Sequence, residues 1–528
     1  MRRLVPRCLG NARNPKICRF LRATVSACTL LVSACTALPH NSRTEIPTEA
    51  AQRTLAVGFQ QLSDRYVKYL PVGELAFEGL RGLNLLDPDF EAKRTGEIVL
   101  FGVDVGRLHA VPMPDETDAD GWAALAVDAV RLMQSESNTI ASASVERIYE
   151  AIFDGSLSLL DTYSRYSSAD EAVRNRDKRS GFGGIGVVVK NTARGASVVQ
   201  VVANSPAVQA GLVEGDIITH IDHAPIGRLT DLSDVARGPI GTSVQLRVVK
   251  HSGEALDIDV RRQRVIAPTV EVAVRDDIVT ARISGFSRST ARELRTQVND
   301  AVSRLAGAAR GLILDLRGNP GGLLSEAVRV ADLFIAEGRI LTTQGRHPSS
   351  VHDYDAREED IASGLPMVVL INGRSASASE IVAAALQDHD RAIVVGSSSF
   401  GKGSIQMVIA LPNEGELTIT WSQFITPSGY VLNGLGVHPS ICTSASDANA
   451  EQLIRRALDG GNNLAQILDT WRHIDSHPET DRKGMKALCP ASDSVANRDT
   501  TVAETVIGDA DLYRRILAFA PTVLAAQK

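Results

Sequence analysis

Two short stretches of the 528-residue chain hold residue types that can do chemistry together. The segment Asn372-Gly-Arg-Ser-Ala-Ser-Ala-Ser-Glu380 follows an apolar run, Pro366–Ile371, and leads into a helical pattern. It puts serines at a strand-to-helix turn, where a hydroxyl is open and free helix N–H groups point at it. Taken alone, a serine there is ordinarily an N-cap. Downstream, Phe400-Gly-Lys-Gly-Ser-Ile-Gln406 sets Lys402 between two glycines, sterically open. In an extended segment Lys402, Ser404 and Gln406 point the same way. A lysine buried beside few charges loses its proton readily, because desolvation penalises the ammonium. It can then act as base toward a serine hydroxyl, with an amide such as Gln406 orienting the amine. Taken alone, this piece reads as a surface lysine in a turn.

Other chemistries are excluded on the same residues. Gly396 to Lys402 begins like a phosphate-binding loop, Gly-x4-Gly-Lys, but Gly403 follows where a hydroxyl must hold magnesium. Ile405–Leu411 then reads as a strand, not the helix such a loop opens. The glycines of Gly181–Gly186 precede their strand, whereas a dinucleotide-binding loop follows one. No His-Glu-x-x-His zinc motif occurs.

The elements that must position these groups show in the texture of the chain. Residues 51–175 read as a mostly helical N-terminal region, for example over Leu55–Leu70 and Val145–Leu160. Phe77–Asp87 and Phe153–Asp161 echo each other as one helix-then-Asp-turn solution used twice. From about 176 to 265 strands and turns dominate. Ser205-Pro-Ala…Ala-Gly-Leu…Gly-Asp-Ile-Ile218 resembles a PDZ domain, with a strand over Val244–Lys250 and a short helix over Thr230–Ala236. The resemblance implies a groove in which a peptide adds as an extra strand, its terminal carboxylate held by backbone N–H groups of Gly184, Ile185, Gly186 and Val187. From 266 to 445 strands and helices alternate: buried strands at Gly311–Leu316, Pro366–Ile371 and Arg391–Gly396, helices from Leu324 and from Ser375 to His389. Residues 446–528 read as helical.

Asp315-Leu-Arg-Gly-Asn-Pro-Gly-Gly-Leu-Leu, Ser375-Ala-Ser-Ala-Ser-Glu, Phe400-Gly-Lys-Gly-Ser-Ile-Gln and Thr426-Pro-Ser-Gly occur in that order after the PDZ-like block. Together they strongly resemble the C-terminal processing peptidases, or tail-specific proteases, over roughly residues 140–445. The resemblance implies an α/β multidomain fold: a ClpP/crotonase-like protease core, an inserted PDZ domain, and helical N- and C-terminal regions. It implies Ser377 as nucleophile, Lys402 as base, Gln406 as the residue orienting it, and the N–H groups of Gly322 and Ala378 as the oxyanion hole. Ser397-Ser-Ser399 departs from the family pattern, in which an acidic residue and Thr precede the Phe. No catalytic group is lost by it.

The N-terminus reads as an export segment. Seven Lys/Arg and no acid lie in residues 1–34, all ahead of the apolar run Ala23–Ala34, which is too short to span a bilayer. Leu31-Val-Ser-Ala-Cys35 resembles a bacterial lipobox, which implies lipidation of Cys35, a tether over 35–50 and a place in the periplasm or cell envelope. The net charge is −6, so the chain beyond residue 34 is near −13, which argues against nucleic acid as a partner. Once the segment is removed and Cys35 lipidated, Cys442 and Cys489 remain and can pair in an oxidising compartment. The expectation is thus an exported serine endopeptidase that cleaves proteins near apolar C-termini, with no metal or organic cofactor and only a lipid anchor in the membrane. Whether an activator or adaptor lipoprotein takes part stays open. Two other classes compete: an inactive PDZ lipoprotein scaffold, disfavoured by the intact Ser377, Lys402 and Gln406, and a crotonase-like acyl-CoA enzyme, disfavoured by the export segment and the PDZ block.

Overall fold

A computed structural model describes residues 46–104, 106–202, 204–226, 236–474 and 482–518. The segment expected to direct export, Cys35 and most of the short helix expected at 230–236 lie outside the described residues.

The C-terminal half is built on a six-stranded sheet, ordered Val270–Arg275, Ile278–Ile283, Gly311–Asp315, Met367–Ile371, Ile393–Gly396 and Ile441–Cys442. All neighbours after the first pair are parallel. The apolar runs read in the sequence are central strands of this sheet, and their period of two divides them between two cores. Leu312, Leu314, Met367, Val369, Ile371 and Val394 face helices Thr290–Arg304, Leu324–Asp332 and Ala378–Asp388. Ile313, Val368, Leu370, Ile393 and Val395 face helices Ala450–Asp459, Asn497–Gly508 and Ala510–Leu517. A parallel sheet covered on both faces needs continuous apolar strands, which is why no hydrophobic-polar alternation marks them.

A second sheet runs His352–Asp355, Arg339–Gln344, Glu416–Ile425, Ser404–Ala410. Strand Arg165–Ser167 joins it by pairing with Glu416–Thr418, so the N-terminal region is fastened onto the C-terminal half. That region is not helical throughout. An antiparallel sheet of Glu91–Thr95, Ile98–Gly102 and His109–Pro112 interrupts its helices, and the first helix starts at Thr48, inside the stretch expected to be a tether. The two echoing segments do both form helices, Val72–Arg81 and Val145–Leu157. They approach closely through Gly82 and Gly155: a Cβ on Gly155 would lie 2.9 Å from the Gly82 Cα.

The PDZ block is a separate sheet, ordered Ala255–Arg261, Ser243–Val249, Ile217–Ile221, Gly195–Val201, Val187–Thr192, around its own core of Ile185, Val198, Ile218 and Leu246. Val187–Thr192 is its edge strand.

Cys442 and Cys489 form a disulfide. It pulls the chain after 489 against the loops that leave the central sheet. Asn372 Nδ2 donates to the carbonyls of Asp493 and Ser494, and Gly373 N donates to that of Ser492. Buried Arg317 pairs with Asp315 and reaches Asp499 at 3.2 Å. Removing the crosslink frees a loop of 47 residues in the unfolded chain, so Cys442→Ser with Cys489→Ser is expected to cost about 2–4 kcal/mol. Thermal unfolding of oxidised and reduced protein measures it, and equal Tm values would show that the bridge constrains nothing.

Candidate active site

Residues 372–380 fold as a tight elbow because the polar side chains flanking Ser377 have specific partners. Ser375 Oγ donates to the Leu316 carbonyl at 2.9 Å and accepts from Asn372 N. Ser379 Oγ donates to the Asn319 carbonyl at 2.9 Å. Both serines are fully buried, whereas Ser377 between them is half-buried. The helix begins at Ala378, not at Ser375 as the sequence suggests, with Ser377 at the N-cap position. Its first amides are served by carbonyls: Ser379 N to Ala376 O and Glu380 N to Ser377 O. Ser377 sits at φ 56°, ψ −112°. Such a conformation costs a non-glycine residue about 1–3 kcal/mol and persists where surrounding structure enforces it.

The Arg317–Gly322 loop packs against this elbow. Asn319 holds it with bonds to Ile283 O, Gly321 N and Ala376 N. Gly321 has φ 102°, and a Cβ there would stand 2.9 Å from the Ser377 Cβ. Phe286 N donates to Gly321 O and Leu323 N to Phe286 O, which leaves the Gly322 N–H on the side away from Phe286.

Lys402 lies just ahead of strand Ser404–Ala410. Its backbone N–H, those of Gly401 and Ser377, and the Ser399 hydroxyl all donate to the buried Glu380 carboxylate. One side chain thus joins the serine elbow to the lysine loop. Lys402 is half-buried, and its Nζ lies over the Tyr163 ring, 4.7 Å from the centroid, in no ion pair among the described residues. Burial pushes its pKa below the ordinary 10.5, and the Arg165 charge adds to this, against the pull of Asp161 and Glu380. Gln406 does not hydrogen-bond Lys402. Its Nε2 donates to Ser404 Oγ at 2.9 Å and to Thr420 Oγ1 at 3.1 Å. The pairing register slips between Ile405 and Gln406, and such a bulge re-aims the side chains beyond it.

Ser377, Ala378, Gly322, Lys402 and Gln406 line one cavity of about 630 Å³, walled on its apolar side by Phe286, Leu324, Ile381, Ile405 and Phe424. The sequence reading missed Tyr163 and Arg165, which the Asp161 turn delivers. Asp161 Oδ1 accepts from Tyr163 N, Ser164 N and the Thr420 hydroxyl. The Asp turn that ends both echoing segments was the available signal. Thr426-Pro-Ser-Gly serves the fold: Ser428 bonds through its N–H and hydroxyl to Asp388.

Gly184, Ile185, Gly186 and Val187 line a second cavity, of about 270 Å³, apolar and bordered by Phe182, Ile218 and Val265. Gly186 has φ 85°, and a Cβ there would meet the Ser205 Cβ at 2.2 Å. Among the described residues there is no cluster of three or more metal-ligating side chains and no helix long and apolar enough to cross a membrane.

Residues 183–261 match the PDZ domain and residues 277–443 match peptidase family S41. A carboxy-terminal-processing protease of Bartonella bacilliformis is 39% identical over 351 residues, covering 65% of this chain and 79% of that protein. A probable CtpA-like serine protease of Staphylococcus haemolyticus is 32% identical over 300 residues, covering 56% of this chain and 59% of its own length. Among solved structures, a photosystem II D1 C-terminal processing protease aligns at 23% identity over 74% of this chain and 92% of that one, with a TM-score of 0.37. Both the catalytic segment and the preceding PDZ block thus match, and the chain belongs to peptidase family S41, as a carboxy-terminal-processing serine protease with a PDZ domain.

Proposed function

We propose that this chain is an exported endopeptidase that cleaves proteins near apolar C-termini with a Ser377–Lys402 dyad. The observation that carries the reading is the convergence of Ser377, Lys402, Gln406, Gly322 and Ala378 on one cavity, with the flanking serines spent on backbone bonds and Lys402 in no ion pair among the described residues. Neutral Lys402 takes the hydroxyl proton as Ser377 Oγ attacks the scissile carbonyl. The Ala378 and Gly322 N–H groups receive the oxyanion; donors fixed in advance for that charge are often the largest catalytic contribution. The protonated lysine returns the proton to the leaving amine, and water then hydrolyses the acyl-enzyme with Lys402 again as base. Gln406 Oε1 accepts no bond among the described residues and serves as acceptor for the Lys402 amine.

The substrate tail adds along the Val187–Thr192 edge, its carboxylate on the N–H groups of Gly184–Val187. The N-terminal segment directs export, and Cys35 carries the lipid that holds the enzyme at the envelope.

Incubating the enzyme with an unfolded protein ending in apolar residues, and with the same protein ending in a polar amidated tail, tests this by intact mass. Cleavage near the apolar tail and fluorophosphonate labelling of Ser377 are expected. No cleavage of either would leave the inactive scaffold as the better reading. Gly186→Ala is expected to raise KM for the apolar-tailed protein about tenfold, because the added methyl displaces the carboxylate loop from Ser205.

A further inference from the structure

The catalytic cavity is lined by Arg165, Lys178 and Arg179 in addition to Lys402, and by no acidic residue. Of these cations only Arg179 is neutralised: its guanidinium bonds both oxygens of the Glu416 carboxylate at 2.9 Å. Arg165 and Lys178 are exposed and hold no hydrogen bond or ion pair with any described residue. They come from different elements, Arg165 from the strand opposite Thr418 and Lys178 from helix Ala169–Ser180, and both reach the same opening. Two unpaired cations facing an open cavity repel each other and Lys402, a cost relieved when an anion enters. Neither takes part in bond making in the serine mechanism, where Arg165 acts only through its charge on Lys402, and the carboxylate loop of the PDZ groove is a different cavity.

We propose that Arg165 and Lys178 form an anion subsite in the catalytic cavity that takes a carboxylate of the substrate chain close to the scissile bond. Two sources offer that chemistry: an Asp or Glu side chain, or the terminal α-carboxylate after the tail leaves the PDZ groove. The subsite selects among substrates of the peptidase proposed above and rests on that reading. A partly solvated guanidinium–carboxylate contact gives modest discrimination, here about tenfold in kcat/KM.

Four otherwise identical peptides, with Glu or Gln beside the cleaved bond and with a free or amidated C-terminus, separate the sources. The readout is the ratio of kcat/KM for a charged peptide to that for the uncharged one, which is internal to each variant and insensitive to its folded fraction. Wild type is expected to prefer a charged peptide about tenfold, less at high salt. Arg165→Gln with Lys178→Gln brings the ratio near one, and Lys178→Glu brings it to one or below. A preference in the Glu/Gln pair with amidated ends assigns the side-chain source, and one confined to the free end assigns the α-carboxylate. Equal cleavage of all four by wild type, or a ratio unchanged in the variants, overturns the subsite while leaving the peptidase intact. Cleavage of none removes the reading on which it rests.

Discussion

Ser377→Ala and Lys402→Ala are each expected to lower kcat/KM on a peptide substrate by about 10³-fold or more, with the double variant no worse than either alone. Residues that act as one unit lose the whole effect at the first removal, and what remains comes from binding and the oxyanion donors. Both variants are expected to fold: Ser377 is half-buried at the edge of its cavity, and the Lys402 amine holds no hydrogen bond or ion pair among the described residues, only the Tyr163 ring face. Lys402→Arg, of nearly the same length but permanently protonated, is as inactive as Lys402→Ala. The proposed base works in its neutral form, so activity is expected to rise as pH climbs through the Lys402 pKa and to be lost below it. Burial and the Arg165 charge place that limb below the ordinary lysine range. Arg165→Gln removes one of those causes and moves the limb to higher pH, which a pH profile of kcat/KM reads directly. A profile flat across the range, or single losses that multiply in the double variant, would mean that the two residues do not act together.

The members of this site that were legible in the sequence are those whose local geometry is written into adjacent residues. A glycine pair after a buried strand, a serine at a helix start and a lysine between glycines each specify a backbone shape, and their order along the chain suffices to associate them. Tyr163 and Arg165 carry no such mark. They reach Lys402 from more than two hundred residues earlier, through the three-residue strand Arg165–Ser167, too short for any period to show. The sheet over residues 91–112 escaped for a related reason: Glu91–Thr95 buries only Ala92, so hydrophobic alternation is absent. The stretch after Cys489 looked featureless because it acts through its backbone, lending carbonyls to Asn372 and Arg317, and carbonyls have no residue type. Glu380 was visible, but an acidic residue in the first turn of a helix already has an explanation in the macrodipole and the capping box. Only the fold shows that it also receives the lysine loop.

That second duty makes Glu380 the most sensitive position outside the reacting groups. Oε1 accepts from the Ser399 hydroxyl and the Gly401 N–H, and Oε2 from the N–H groups of Ser377 and Lys402. Full burial raises its pKa, and these four bonds oppose the rise. The three backbone N–H donors, of Ser377, Gly401 and Lys402, favour the carboxylate form. Glu380→Gln keeps the volume, yet either orientation of the amide sets an NH₂ against two donors. Ser399 can turn its hydroxyl to accept, so the amide faces Oε1's partners, and the Gly401 N–H is left without one. A buried donor without a partner costs about 1–3 kcal/mol. The expected result is a stable protein with kcat lower by about 10²-fold and KM little changed, because the loop carrying Lys402 shifts relative to Ser377 while the substrate walls stay. Glu380→Ala orphans all four donors and is expected to lose about 3–5 kcal/mol of stability as well. Titrating the reactive serine with a fluorophosphonate separates a misplaced base from a smaller folded fraction. If Glu380→Gln labels and turns over like wild type, the carboxylate is only a helix cap, and the register between serine and lysine is set by the sheets alone.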